Sequence, residues 1–170
     1  SLGGRPGAVS VAGWSAGANL ATVVCRLARD AGGPPVVGQL LIAPVTDADM
    51  TRRSYRENGE RYLLTSAMMQ WFFDHYVDSA NRTDPRVAPL RAKDLSNLPP
   101  ATIVTCEFDP LRDEGVTYAE ALADAGVAVQ HINARGHIHS SLTMVDLVIS
   151  GVPYREQMAA ALRRFATAGS

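Results

Sequence analysis

Apolar residues follow two alternating rhythms along this chain, separated by polar, glycine-rich and proline-rich stretches. Residues 8–13 form a short apolar run, and Val36 to Ala43 a second that is apolar almost without a break. Such runs predict strands buried on both faces, the pattern of a parallel sheet held between helical layers. Ala101 to Cys106 and Val127 to Ile132 predict a third and a fourth strand. After the first strand, Leu20, Val23, Val24, Leu27 and Ala28 recur at i, i+3, i+4 spacing, which predicts a helix with that stripe buried. Gly32-Gly33-Pro34-Pro35 stops it, since glycine takes a left-handed cap and proline cannot continue a helix. A further helix ends near Gly126. A last one runs from about Pro153 to Phe165, with Met158, Leu162 and Phe165 on one face. Ser1 to Gly7 reads as loop.

Residues 47–82 break this rhythm. They open polar, with Thr51-Arg52-Arg53, then turn into an aromatic helix, Met68-Met69-Gln70-Trp71-Phe72-Phe73, with Thr65 as its N-cap. Aromatic stripes on helices usually bury for stability, so most of these residues are expected to be core. Residues 84–100 form a proline-punctuated connector. The order strand, helix, strand, insertion, strand, helix, strand, helix predicts an α/β fold with a parallel sheet.

At 170 residues the chain has room for one sizeable core. An apolar share of 46% against a charged share of 19% excludes a disordered or coiled-coil chain. The net charge of −1 offers no basic footprint for nucleic acid. No apolar run reaches the length of a membrane span. Cys25 and Cys106 sit inside a helix and a strand pattern, as buried free thiols would, which suits a reducing cytoplasm. No Cys/His spacing fits a metal site.

The candidate chemistry sits at the first strand's end, in Gly13-Trp14-Ser15-Ala16-Gly17. A strand, a turn too tight for flanking side chains, and a helix start describe a nucleophile elbow, the device of α/β-hydrolases. Gly13 and Gly17 are expected where a Cβ would clash. Ser15 at a helix N-terminus also faces free backbone N–H groups. A serine hydroxyl needs a base, and the base an orienting acid. In parallel sheets such groups collect on loops at the strands' carboxyl ends. Asp109 follows the third strand; His137 and His139 follow the fourth, in a loop containing Gly136-His137-Ile138-His139. Rival acids are Asp47, after the second strand, and Asp113 and Glu114, which suit the first turn of the next helix. Composition does not separate His137 from His139. His75 and His131 read as structural.

Gly-Trp-Ser-Ala-Gly-Ala-Asn-Leu, Asp109-Pro110-Leu111-Arg112-Asp113-Glu114-Gly115 and Gly136-His137-Ile138-His139 together resemble the hormone-sensitive-lipase-like carboxylesterases. The similarity runs over nearly the whole chain, including Leu98-Pro99-Pro100-Ala101. It implies an α/β-hydrolase fold in which these strands are the second half of an eight-stranded sheet and 47–82 is part of a cap over the acyl chain. It implies Ser15 as nucleophile, His139 as base, Asp109 as acid, the Ala16 N–H as oxyanion donor, and no metal or organic cofactor. Two positions depart from the family's pattern. Trp14 stands where an aspartate is common, beside the nucleophile and so a candidate substrate contact, and Ala18 stands where a glycine is common. The His-Gly-Gly-Gly-type loop that supplies further oxyanion donors is also absent, and each such donor contributes about 3–4 kcal/mol.

The expectation is therefore the C-terminal part of a serine hydrolase that cleaves small esters with short acyl chains. Its elbow strand would then be an open edge, prone to association. Amidase or acyltransferase chemistry would use the same triad. A ligand-binding protein on a hydrolase scaffold is the rival from another class. The oligomeric state stays open.

Overall fold

The computed structural model describes residues 9–168, so the predicted loop at residues 1–7 lies outside the described residues. Four parallel strands lie side by side in sequence order: β1 (Val9–Trp14), β2 (Val36–Ile42), β3 (Ala101–Phe108) and β4 (Val129–Ile138). Helices α1 (Ala16–Asp30) and α4 (Arg112–Asp124) cover one face, and α5 (Val152–Ala168) covers the other. The strand alternation sorts neighbours between the two cores. Leu41 and Ile103 meet Ala18, Ala21, Cys25, Tyr118 and Leu122 on one side. Leu40 and Val104 meet Met158, Ala161 and Phe165 on the other. Residues three to four apart on a helix share a face, and consecutive strand residues do not.

The predicted stripe on α1 needs correction. Val23 is buried, but Leu20, Val24 and Leu27 are exposed, and Ala28 is half-buried. The sheet-facing side is Ala18, Ala21, Thr22 and Cys25 instead. Small residues let α1 lie close on β1 and β2, and the larger aliphatic stripe is left looking outward. Both cysteines are buried free thiols, as expected. Burial pushes each up to about 12, so neither offers a thiolate near neutral pH.

The insertion forms α2 (Arg53–Asn58) and α3 (Ser66–Tyr76), with Thr65 Oγ1 accepting from the Met68 N–H at 3.1 Å. It builds a core of its own from Val45, Tyr55, Leu64, Met69, Phe73, Val87 and Leu111, above the carboxyl ends of the strands. Hydrogen bonds from the Ser54 N–H to the Asp113 carboxylate (2.7 Å) and from the Ser54 hydroxyl to the Pro110 carbonyl (2.6 Å) pin α2 onto the start of α4 and the turn before it.

Two strands run further than the apolar pattern predicts. β3 continues through Glu107 and Phe108. β4 continues through Gly136, His137 and Ile138, which were expected in a loop. The register explains the second extension. Cys106 pairs with Ala134 but Phe108 with Ile138, so β4 carries a bulge of extra residues there. Gly136 takes φ +76 inside it, and its N–H donates to the Glu107 carboxylate at 2.7 Å. The bulge delivers the residue after Ile138 to the end of β3.

Candidate active site

Ser15 caps α1 at the end of β1, with φ 55 and ψ −121, a conformation that an L-residue rarely adopts. The turn is held by the Ser15 N–H donating to the Ile42 carbonyl (2.8 Å), and by the Ser15 carbonyl accepting from Ala18 N–H (3.0 Å). Gly13 is required for it. A Cβ there would lie 2.1 Å from the Gly17 carbonyl oxygen. Gly17 is not required in the same way, contrary to expectation, since a Cβ at Gly17 meets nothing within 4 Å among the described residues. The close approach is one-sided: Gly13 faces the backbone of the helix start, whereas Gly17 faces the cleft.

Three side chains expected from separate strand ends form one line. The Ser15 hydroxyl lies 3.1 Å from His139 Nε2, and His139 Nδ1 lies 2.7 Å from Asp109 Oδ2. Asp109 Oδ1 accepts from the Leu111 N–H at 2.9 Å, which orients the carboxylate. Asp109 and His139 are buried. With its Nδ1 committed to a carboxylate, the imidazole presents Nε2 to the hydroxyl in the tautomer able to take its proton.

The rivals have other partners. His137 points to the opposite side: its Nδ1 meets Ser141 Oγ at 2.9 Å, and its ring packs edge-on against Tyr154. Because the Ser141 hydroxyl donates to the Ile138 carbonyl, it accepts from His137, whose role here is structural. His75 stacks on Trp71 in α3, and His131 bonds Thr105 from β4. Asp47 is gripped by Arg91 at 2.9 and 3.0 Å and by Arg52 at 2.7 Å. Burial raises its pKa, but the hydrogen bonds from Arg91 and Arg52 outweigh this and hold it below the usual value.

Asp113 and Glu114 do occupy the first turn of α4, yet Glu114 has a further role that helix-dipole reasoning misses. It is fully buried, accepts from the Thr46 N–H at 2.8 Å and the Asp47 N–H at 3.3 Å, and meets the Tyr55 hydroxyl at 3.3 Å. It therefore ties the turn after β2 and the insertion to α4. Burial pushes its carboxyl up to about 8. An unfolded chain would ionise it near the ordinary 4.5. Between these values folding must take up a proton, so stability falls as pH rises, by about 1.4 kcal/mol per unit, and levels off above 8. Glu114→Gln should flatten that slope between pH 5 and 8 in urea denaturation. Equal slopes in both proteins would refute the assignment.

The sequence assigns no role to Asn58, nor to Asn19 although it belongs to the elbow motif. Asn19 Nδ2 donates to the carbonyls of Val45 (2.9 Å) and Val87 (2.7 Å), and Asn58 Nδ2 to that of Asp109 (3.4 Å). Both brace loops around the cleft. Buried amides inside helices were the signal available, since such groups require partners.

Ser15 and His139 open onto a cleft of about 640 Å³, within the range of small-molecule sites. Its walls are largely apolar and include Leu63, Met68, Phe72 and Tyr76 from the insertion. These residues are exposed and not core, whereas Met69 and Phe73 are core as expected. Trp14 lines the wall beside His139, with ring centroids 5.3 Å apart. The Ala16 and Gly17 N–H groups belong to the first turn of α1, where a helix leaves donors without intrahelical partners.

A serine elbow on a parallel sheet, with an acid after one later strand and a histidine after the next, defines the α/β-hydrolase class of fold. A family model described as the alpha/beta hydrolase fold matches residues 1–143. The chain belongs to this family, in its hormone-sensitive-lipase-like branch. It is 41% identical over 167 residues to carboxylesterase NlhH of Mycobacterium tuberculosis, covering 96% of this chain and 52% of that protein. It is 40% identical over 144 residues to ethyl acetate hydrolase of Pseudomonas putida, covering 82% and 45%. Among solved structures, a fungal esterase from Rhizomucor miehei superposes with a TM-score of 0.92 at 39% identity, covering 97% of this chain and 52% of that one. The chain spans about half the length of the curated relatives it matches.

Proposed function

We propose that this chain is the C-terminal portion of the catalytic domain of a serine carboxylesterase acting on small esters with short acyl chains. The observation that carries this reading is the unbroken line Ser15–His139–Asp109 at the floor of an apolar cleft. Similarity to a carboxylesterase and to an ethyl acetate hydrolase supports ester substrates.

In this mechanism Ser15 Oγ attacks the ester carbonyl carbon while His139 Nε2 takes the hydroxyl proton. The carbonyl oxygen gains negative charge facing the Ala16 N–H. The bond to the alcohol oxygen then breaks, and His139 returns the proton to it as it leaves. Water completes the cycle: His139 takes one of its protons, its oxygen attacks the acyl carbon, and Ser15 departs with the proton restored. Asp109 holds the imidazole in place and stabilises the imidazolium that forms transiently in each half of the reaction. Residues 47–82 act as a cap whose Leu63, Met68 and Phe72 cover the acyl chain. The buried free thiols fit a cytoplasmic location.

The test is hydrolysis of aryl esters from acetate to decanoate by the full natural polypeptide, with Ser15→Ala as the control. Rates should be greatest for the short acids. Turnover of the matching anilides, or transfer to a second alcohol, would favour the amidase or acyltransferase rival, and binding without turnover a ligand-binding protein.

The portion reading has its own test. Among the described residues β1 is an edge strand, and Leu20, Val24 and Leu27 form an open apolar stripe. Such surfaces associate. Circular-dichroism melting with light scattering is expected to show an associating chain with a broad transition. A sharp, cooperative melt of a monomer would count against it.

A further inference from the structure

Trp14 directly precedes Ser15, its ring lies beside that of His139, and it belongs to neither sheet core. Both ring nitrogens of His139 are committed, Nδ1 to Asp109 and Nε2 to Ser15. The Trp14 ring lies beside the imidazole, with centroids 5.3 Å apart and the planes tilted by 37°. The indole nevertheless keeps 39% of its surface open and lines the cleft.

Its place decides which half of an ester it meets. Under the esterase reading, on which this inference rests, His139 Nε2 hands a proton to the departing alcohol oxygen. That oxygen must come within hydrogen-bond reach of the imidazole. A ring packed against the imidazole is then next to the alcohol side of the ester. Further lining residues, Leu63, Met68 and Phe72, come from α3 and the segment before it. We infer that Trp14 is a specificity-determining residue for the leaving alcohol, its exposed indole favouring aromatic alcohols over aliphatic ones of similar size. Offset or edge-to-face aromatic contact supplies the preference, and the Trp14–His139 packing keeps the indole in one orientation to offer it.

The test compares pairs of esters of one short acid, benzyl against cyclohexylmethyl, in the full natural polypeptide. The readout is the ratio of kcat/KM within each pair, which cancels any loss common to both. Trp14→Leu keeps apolar bulk without the ring and should lower the aromatic-to-aliphatic ratio by about three- to tenfold, the scale of one aromatic pair. Trp14→Phe should hold the ratio within about twofold of the parent, since a ring remains. An unchanged ratio in Trp14→Leu overturns the inference. So does a loss that tracks acyl length at constant alcohol, which would place the indole on the acyl side. Should the variants fail to fold, the unsubstituted protein decides: benzyl alcohol must inhibit more strongly than cyclohexylmethanol, and equal inhibition overturns the inference. Hydrolysis that survives Ser15→Ala would instead sink the esterase reading itself, whatever the ratios show.

Discussion

Ser15→Ala is expected to lower kcat on a short-chain aryl ester by about 10⁴- to 10⁶-fold while leaving KM within a few-fold. The substitution removes one oxygen, the atom 3.1 Å from His139 Nε2, and nothing that supports the sheet. Ser15 donates and accepts through its backbone to hold the turn, and alanine retains those bonds. The loss is therefore chemical and not structural, and an unchanged melting temperature should accompany it. Asp109→Asn should cost about 10⁴-fold by favouring the wrong tautomer of His139. The two losses should not add, because serine, histidine and aspartate act as one unit. Stopped assays on the purified variants, with the melt recorded on the same samples, check this. Equal rates for the parent and Ser15→Ala would remove Ser15 from the reaction.

Gly13→Ala is expected to be among the most damaging single-methyl changes at the described residues. The added carbon would sit 2.1 Å from the Gly17 carbonyl oxygen, 2.2 Å from its carbon and 2.5 Å from the Ala18 nitrogen. All three are backbone atoms of the first turn of α1, so no side chain can swing aside. Relief requires moving α1 away from β1, which opens the core around Ala18 and Ala21. The expected cost is about 3–5 kcal/mol, at the upper end for a point substitution. The same movement displaces Ser15 from His139, and a shift of about 1 Å is enough to lose about a hundredfold in rate. Gly17→Ala makes the contrast. With nothing within 4 Å of its Cβ position, it should be neutral or stabilise α1 by up to about 1 kcal/mol. Urea midpoints of the two variants decide. A Gly13→Ala protein as stable as the parent would mean that the elbow is not as tight as described.

Local chemistry made the elbow readable in the sequence. A glycine pair around a serine after an apolar run specifies strand, turn and helix within a few residues, and the structure places Ser15 at φ 55 as that motif demands. The parallel sheet was readable for a similar reason, because strands buried on both faces must be apolar throughout. The order of Ser15, Asp109 and His139 along the chain was equally plain. Choosing His139 over His137, and Asp109 over Asp47, required likeness to relatives. Each of those rivals is itself a buried residue near a strand end.

What the sequence determined by itself is thus the α/β class, the strand succession and the place of Ser15 at the turn between β1 and α1, all set by short-range pattern. Tertiary structure decided the rest, because the deciding contacts join residues far apart in the chain. The bulge at Gly136 carries His139 to Asp109 and leaves His137 on Ser141. Arg52 and Arg91 claim Asp47. Close packing of α1 on the sheet selects its small residues and turns Leu20, Val24 and Leu27 outward, where hydrophobic periodicity alone had placed them inside. Periodicity records which residues share a helix face. Which face lies against the sheet depends on how near the two backbones must come, and at Gly13 they come within the width of a methyl group.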